Sequence, residues 1–175
     1  MSGSLVKIAE TTVSSAVSAV VLTGISSTYK VYKLVMNNVS PATLNADVHL
    51  RFTESGTASS DSDYDYALHQ IRDDTSFSDV YATNEDAFTI SGSLDDEAGK
   101  TFNGFCYIFC APISNEYTFI SVENSYHADG EVLLGNQGCG VYTQDTVVDG
   151  VSITLENPSS NIDSGTFKIF GIKND

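Results

Sequence analysis

The sequence predicts an all-β protein: an antiparallel β-sandwich of jelly-roll-like type, with about eight to ten strands and an extended N-terminal arm. Three observations carry that prediction. Apolar and polar residues alternate with a period of two in segment after segment, as half-buried strands require. Gly, Asn, Asp and Ser turns separate the segments at intervals of roughly 8 to 15 residues. Almost no segment has the 3.6-residue period of a helix. The 175 residues, with 41% hydrophobic content, suffice for one domain that buries roughly 70% of its unfolded surface. With no internal repeat, heptad segment or linker in the sequence, residues 1–28 read as an arm with the first strands and 29–175 as a single sandwich domain.

Ser4 to Ala9 is the first expected strand, and Ala16 to Leu22 the second, after a Ser/Thr-rich stretch. From Tyr29 to Asn37, Tyr32, Leu34 and Met36 alternate with Val31, Lys33 and Val35 until Asn38-Val-Ser-Pro41 stops the run. Ala46 to Thr53 is the clearest strand, with Ala46, Val48, Leu50 and Phe52 on one face and Asp47, His49, Arg51 and Thr53 on the other. Glu54 to Ser62 is a polar loop. Tyr64 to Arg72 fits a strand or a short helix, and its aromatics and alternation favour the strand. Asp73 to Glu85 reads as a polar excursion carrying Phe77 and Tyr81, Ala87 to Ser91 as a short edge strand, and Asp95-Asp-Glu-Ala-Gly99 as a turn. Phe102 to Cys110 is apolar on both sides, which predicts a central strand covered on both faces. Tyr117 to Asn124, Glu131 to Leu134 and Gly138 to Thr143 follow as strands. The chain closes with Val147 to Leu155, where Val151, Ile153 and Leu155 oppose Ser152 and Thr154, and with Asn161 to Lys173.

A net charge of -15, from 8 basic and 23 acidic residues, repels phosphate backbones and argues against direct nucleic-acid binding. The basic residues Lys7, Lys30, Lys33, Arg51, Arg72, Lys100, Lys168 and Lys173 are scattered and form no stripe. No run of about 18 apolar residues is available to cross a membrane. The mildly apolar Ala16 to Ile25 is interrupted by Ser18, Thr23 and Gly24, and Glu10 stands upstream where an export signal would be basic. It reads as a strand in a protein made in a cytoplasm, with Cys106, Cys110 and Cys139 as reduced, largely buried thiols. In an extended strand the Cα atoms of Cys106 and Cys110 stand about 13 Å apart, out of disulfide reach.

Motifs for chemistry are weak. Asp61-Ser-Asp-Tyr-Asp65 opens like a calcium loop, but Tyr66 and Arg72 stand where that loop needs Gly and Glu, leaving a solvated acidic loop. His49, His69 and His127 have no neighbouring ligand at metal-site spacing, and His49, between Asp47 and Arg51, suits a cross-strand polar pair. There is no GxSxG elbow, and thiols in apolar strands are poor nucleophiles. Carboxylate pairs for sugar hydrolysis have no legible spacing, and without Trp a sugar platform would rest on Tyr or Phe. Gly135-Asn-Gln-Gly-Cys-Gly140 precedes a strand rather than the helix a phosphate loop needs, so it reads as a tight turn. The expectation is a protein that is not an enzyme, with no catalytic residue, no cofactor and no metal.

Five segments together resemble small exterior structural proteins of tailed bacteriophages, especially of marine and cyanobacterial hosts: Ser18-Ala-Val-Val-Leu-Thr-Gly-Ile25, Tyr29-Lys-Val-Tyr-Lys-Leu-Val-Met-Asn-Asn38, Leu50-Arg-Phe-Thr-Glu-Ser-Gly56, Glu116-Tyr-Thr-Phe-Ile120 and Ile162-Asp-Ser-Gly-Thr-Phe-Lys-Ile-Phe-Gly171. The resemblance spans nearly the whole chain and implies a virion protein, either a capsid decoration (cement) protein or the head domain of a tail fibre or appendage. It brings no catalytic residues. A fibre shaft shows repeats or coiled coil, and the roughly 15 to 28 residues before the first firm core strand suffice only for an arm. The expectation is therefore a cement protein on the virion exterior, stabilising the outer capsid lattice. Its partners would be the major capsid protein and copies of itself, as a homotrimer at local three-fold positions, with no nucleic acid and no membrane. Within residues 2–21, the expected contacts are Ser2, Leu5, Val6, Ile8, Val13, Val17 and Val20. Under the alternative, a tail-fibre or tail-appendage domain recognises host surface glycans through Tyr64, Tyr66, Phe77 and Tyr81.

Overall fold

The alternating segments form thirteen strands: β1 (Leu5–Val13), β2 (Ala19–Thr23), β3 (Val31–Pro41), β4 (Asp47–Glu54), β5 (Thr57–Ala58), β6 (Tyr64–Arg72), β7 (Phe77–Glu85), β8 (Phe88–Thr89), β9 (Phe102–Phe109), β10 (Thr118–Ala128), β11 (Val132–Tyr142), β12 (Gly150–Glu156) and β13 (Ile162–Ile172). This computed structural model describes residues 4–74, 76–111, 113–130, 132–156 and 160–173, and no helix occurs among them. Eight strands make one sheet in the order β1-β13-β3-β9-β10-β11-β6-β7, and five make the other, β2-β12-β4-β5 with β8 also on β4. Neighbouring strands are antiparallel in both sheets. The fold is an all-β antiparallel sandwich.

Each sheet turns its apolar positions inward. Tyr32, Leu34 and Met36 of β3, Val48, Leu50 and Phe52 of β4, and Val151, Ile153 and Leu155 of β12 belong to one shared core. Phe52, Tyr64, Phe88 and Tyr142 meet there, with Tyr64 and Tyr142 centroids 4.7 Å apart and Tyr64 and Phe88 edge-to-face at 4.9 Å. Such pairs add to simple area burial because ring edges are positive and faces negative. Buried tyrosines also need partners for their hydroxyls, and here each hydroxyl ties down a loop. Tyr64 O–H donates to Ser59 O (3.2 Å) and accepts from Phe52 N–H (3.1 Å). Tyr142 O–H donates to Glu54 Oε1 at 2.8 Å, and Tyr32 O–H to Ser26 O at 2.5 Å.

The structure alters several sequence expectations. The segment read as a polar excursion contains β7, an edge strand exposed along most of its length. Its polarity reflects that position and not a loop. The two short segments expected around Leu134 and Val141 are one continuous strand, β11, running through the glycines read as a tight turn. Those glycines answer close approach. A Cβ on Gly138 would stand 2.1 Å from the Ala67 carbonyl oxygen, and one on Gly140 2.6 Å from the Phe88 ring. β9 is central in its sheet as expected, but Phe105, Tyr107 and Phe109 on its outer side are only half-buried. The segment 1–28 supplies β1, paired with β13, and β2, paired with β12. Among its described residues, 5–13 and 19–23 are thus sheet strands, as the alternation there predicts.

Phe88 is completely buried and touches both Phe52 and Tyr64. Phe88→Ala should lower unfolding free energy by about 3–5 kcal/mol. In urea titration the midpoint should fall with an unchanged slope.

Candidate interaction surface

The outer face of the eight-stranded sheet has no covering layer among the described residues. Register places one row of side chains across it. Lys7 of β1 lies opposite Phe170, Phe170 opposite Lys33, and Lys33 opposite Tyr107. The row continues through Ser121 and Cys139 to Ala67 and Tyr81 at the far edge. Along β9, Phe105 and Tyr107 pack edge-on at 5.8 Å, and Tyr107 and Phe109 follow at 6.4 Å. The Lys33 ammonium sits over the Phe105 ring at 4.1 Å and 5.1 Å from the Tyr107 centroid. That cation–π contact holds the lysine flat against the aromatics. Phe119 is 47% exposed, and an apolar cleft of about 300 Å³ runs beside it, with Tyr66, Cys139 and Val141 in its lining.

Folding collects charge that looked scattered in the sequence. Lys7, Lys33 and Lys168 stand on the neighbouring strands β1, β3 and β13, and Lys30 and Lys173 adjoin the ends of β3 and β13. Five of the 8 basic residues thus lie on or beside three neighbouring strands. Glu10 answers two of them, 2.5 Å from Lys7 Nζ and 3.2 Å from Lys168 Nζ. Hydrogen bonds from Lys7 and then Lys168 hold the Glu10 carboxyl below its ordinary pKa.

The residues expected to contact a partner divide. Leu5 is 47% exposed and lies opposite Ile172 in the same alternation as Lys7. Val6, Ile8 and Val17 are half-buried, with Ile8 and Val17 packed on the core. Val13 and Val20 are core residues, so they cannot meet a partner in this fold. Ser2 lies outside the described residues. Of the aromatic set assigned to glycan binding, Tyr64 is buried and Tyr66 half-buried, whereas Phe77 and Tyr81 on β7 are 65% and 77% exposed. The His69 ring stacks on Phe77 at 5.8 Å, and its Nδ1 lies 2.9 Å from Asp79 Oδ1.

On the outer face of the smaller sheet, His49, Asp86 and Glu156 bring their ligand atoms within 4.8 Å of one another. Glu156 Oε2 stands 2.5 Å from His49 Nδ1, close but off the line of a good hydrogen bond. Thr89 Oγ1 is 3.2 Å from Nε2. Arg51 supplies the compensating positive charge, with Nη2 at 2.8 Å from Asp86 Oδ2 and Nε donating to the Asp86 carbonyl at 2.9 Å. Arg51 thereby offsets Asp86, and the group lies beside an open cleft of about 420 Å³, lined in part by Ser18, Arg51, Thr154 and Glu156. The acidic loop does not converge on one point. Asp65 Oδ1 accepts from Asn84 N–H, and Asp63 Oδ2 from Gln144 Nε2, each at 2.8 Å. The three cysteines are free; Cys106 is buried, Cys110 half-buried and Cys139 exposed rather than buried. Burial pushes the Cys106 thiol up to about 12. Burial first, and then Glu116, also raises Cys110.

Burial holds the His49 pKa below its ordinary 6.5, outweighing the attraction of Glu156. The unfolded chain therefore takes up this proton first as pH falls, and stability drops as pH descends from about 6.5 through the lower folded value. In urea titrations at pH 7 and pH 5, the native protein should lose stability, and His49→Gln should lose measurably less.

No protein-family model, no curated protein and no solved structure matches this chain.

Proposed function

We propose that this protein is a non-enzymatic structural component of a tailed-bacteriophage particle, seated on the capsid exterior as a decoration or cement protein. The observation that carries this reading is the strand order. Within the two sheets, β1-β13-β3-β9 and β2-β12-β4-β8 are two blocks of four between which the chain passes back and forth. We read them as the two sheets of a jelly roll, the architecture used by many viral capsid and lectin domains. The hairpin β6-β7 and the pair β10-β11 then extend one sheet beyond that frame. A fold does not specify a role by itself, and the uncovered outer face of that extended sheet supplies the second support.

The role would be adhesive. The face offers Leu5, Tyr107, Phe109, Phe119 and Phe170 for burial, each large side chain contributing about 1.5–3 kcal/mol when fully covered. Lys7, Lys33 and Lys168 give it a cationic half, while the molecule as a whole carries -15. An acidic patch on the major capsid protein would be attracted there and repelled elsewhere, which sets orientation. Copies of this chain around local three-fold positions, as a homotrimer, would bury area across capsomer junctions and oppose internal DNA pressure.

One observation favours the tail-appendage alternative. Phe77 and Tyr81 are highly exposed on edge strand β7, and the ring of His69 lies parallel to Phe77 with 9° between planes. That is a flat aromatic platform of the kind on which a sugar ring stacks.

Quantitative mass spectrometry of purified particles separates the two: hundreds of copies per virion are expected for cement, and a few dozen or fewer would overturn it in favour of the tail. Particles stripped of the protein should rebind it, and Phe105→Ser combined with Tyr107→Ser should weaken rebinding at least tenfold without lowering the protein's melting temperature by more than a few degrees.

A further inference from the structure

The outer side of the smaller sheet carries a histidine whose burial its position does not explain. His49 stands on β4 among outward-facing residues, opposite Thr154 of β12 and Thr89 of β8. Side chains on such a face are ordinarily wet, yet His49 is only 8% exposed. Its Nε2 is engaged by Thr89 Oγ1 at 3.2 Å, whereas its Nδ1 has no hydrogen-bond partner. The atom set against Nδ1 is a carboxylate oxygen. Glu156, placed on the same face by its pairing with Asp47, brings Oε2 to 2.5 Å from Nδ1, off the line along which an N–H would donate. The side chains of Glu156 and Asp86 are 54% and 52% exposed, so one fixed nitrogen faces two movable acids.

The charge around the ring is unbalanced. Glu156, Asp47 and Asp86 act on it as anions and Arg51 as a cation, a surplus of two negative charges that one dication cancels. Arg51 is committed elsewhere: Nη2 donates to Asp86 Oδ2 at 2.8 Å, Nη1 to Thr154 Oγ1 at 3.1 Å and Nε to the Asp86 carbonyl at 2.9 Å. The Asp86 carboxylate keeps a second oxygen to offer. The ligand atoms of His49, Asp86 and Glu156 lie within 4.8 Å of one another. Zinc bonds of about 2.0–2.2 Å separate tetrahedral ligands by roughly 3.4 Å, so Glu156 need retreat only by about 1 Å. One imidazole with two carboxylates suits a divalent transition ion, where an oxygen-only set would suit calcium. The open cleft of about 420 Å³ that Glu156 helps to line leaves a fourth position to water.

We propose that His49 Nδ1, Glu156 and Asp86 form a binding site for a divalent transition-metal ion of the zinc class, completed by water. Thr89 then accepts the Nε2 proton and fixes the tautomer that turns the Nδ1 lone pair to the metal. The ion ties β4 to the end of β12 and to the segment leading into β8. These are three pieces of chain far apart in sequence, so ligand spacing along the chain does not announce the site. The site stands wherever in a particle the protein sits.

Calorimetric titration of the full chain with ZnCl₂, after chelator treatment and dialysis, tests this. One zinc per chain is expected, and saturating zinc should raise the melting temperature by about 4–8 °C, with calcium and magnesium giving far less. His49→Gln and Glu156→Gln should each weaken zinc binding by about tenfold or more, while His69→Gln and Cys139→Ser bind as the native chain does. Cobalt(II) in place of zinc should show the absorption of nitrogen and oxygen ligation, without sulfur charge-transfer bands. Absence of zinc binding, or undiminished binding in Glu156→Gln, would overturn the site and leave a plain contact between imidazole and carboxylate. Loss of binding in His69→Gln or Cys139→Ser would move the metal to the other sheet and overturn it too. Equal stabilisation by calcium would mean screening of the acidic surface. Should His49→Gln fail to fold, Glu156→Gln and Asp86→Asn, both at exposed positions, decide between the same outcomes.

Discussion

Two sheets of unequal width share one apolar core, and much else in this molecule follows from that mismatch. Eight strands cannot be covered by five. The block β1-β13-β3-β9 lies in the same sheet as the extension through β10, β11, β6 and β7, and the smaller sheet ends before that extension does. β7 is consequently exposed nearly throughout. Polar side chains enter the interior near this margin, because an apolar lining there would be half wetted. Asn124, Asn136, Ser91 and the half-buried Asp47 mark the transition from dry core to solvent.

The core itself is stabilised as much by hydroxyls as by rings. Tyr32, Tyr64, Tyr126 and Tyr142 are among the largest buried side chains. A buried phenol without a partner would forfeit about 1–3 kcal/mol, comparable to what burying its ring contributes, and each here reaches a loop backbone or an acidic side chain. The loops after β2, β5 and β8 are fixed by the same residues that fill the core. Packing and loop geometry are therefore one problem here. Substituting phenylalanine for one of these tyrosines would conserve volume and still release a loop.

Surface chemistry divides along the same lines. Acidic residues dominate the molecule, yet the strands brought together at the β1 edge carry or directly adjoin five of its six lysines. Glu10 sits between Lys7 and Lys168 and holds them in the sheet plane, while Lys33 is held by aromatic faces. A strongly acidic protein can approach an acidic partner only through such a region. At physiological salt, repulsion between the remaining charges is screened beyond about 8 Å, and short-range pairs then decide orientation.

The amino-acid order alone determined the class of this fold and the inward faces of its best strands. Val48, Leu50 and Phe52, or Val151, Ile153 and Leu155, declare themselves because side-chain direction in a strand has a period of two, which neighbours in sequence record. The free thiols and the incomplete calcium loop at Asp61 were legible for the same local reason. β7 and β11 were not, since an edge strand is polar on both sides and a glycine-rich strand resembles a turn until the carbonyl of Ala67 and the ring of Phe88 are seen pressing on it. The burial of Tyr64, the exposure of β9's outer side, the lysine row and the meeting of His49, Asp86 and Glu156 were decided by tertiary structure. Thr12 and Thr166 face each other across β1 and β13 although 154 positions separate them. Which strands become neighbours, and which sheet runs wider, depends on contacts at that distance, and no local pattern encodes them.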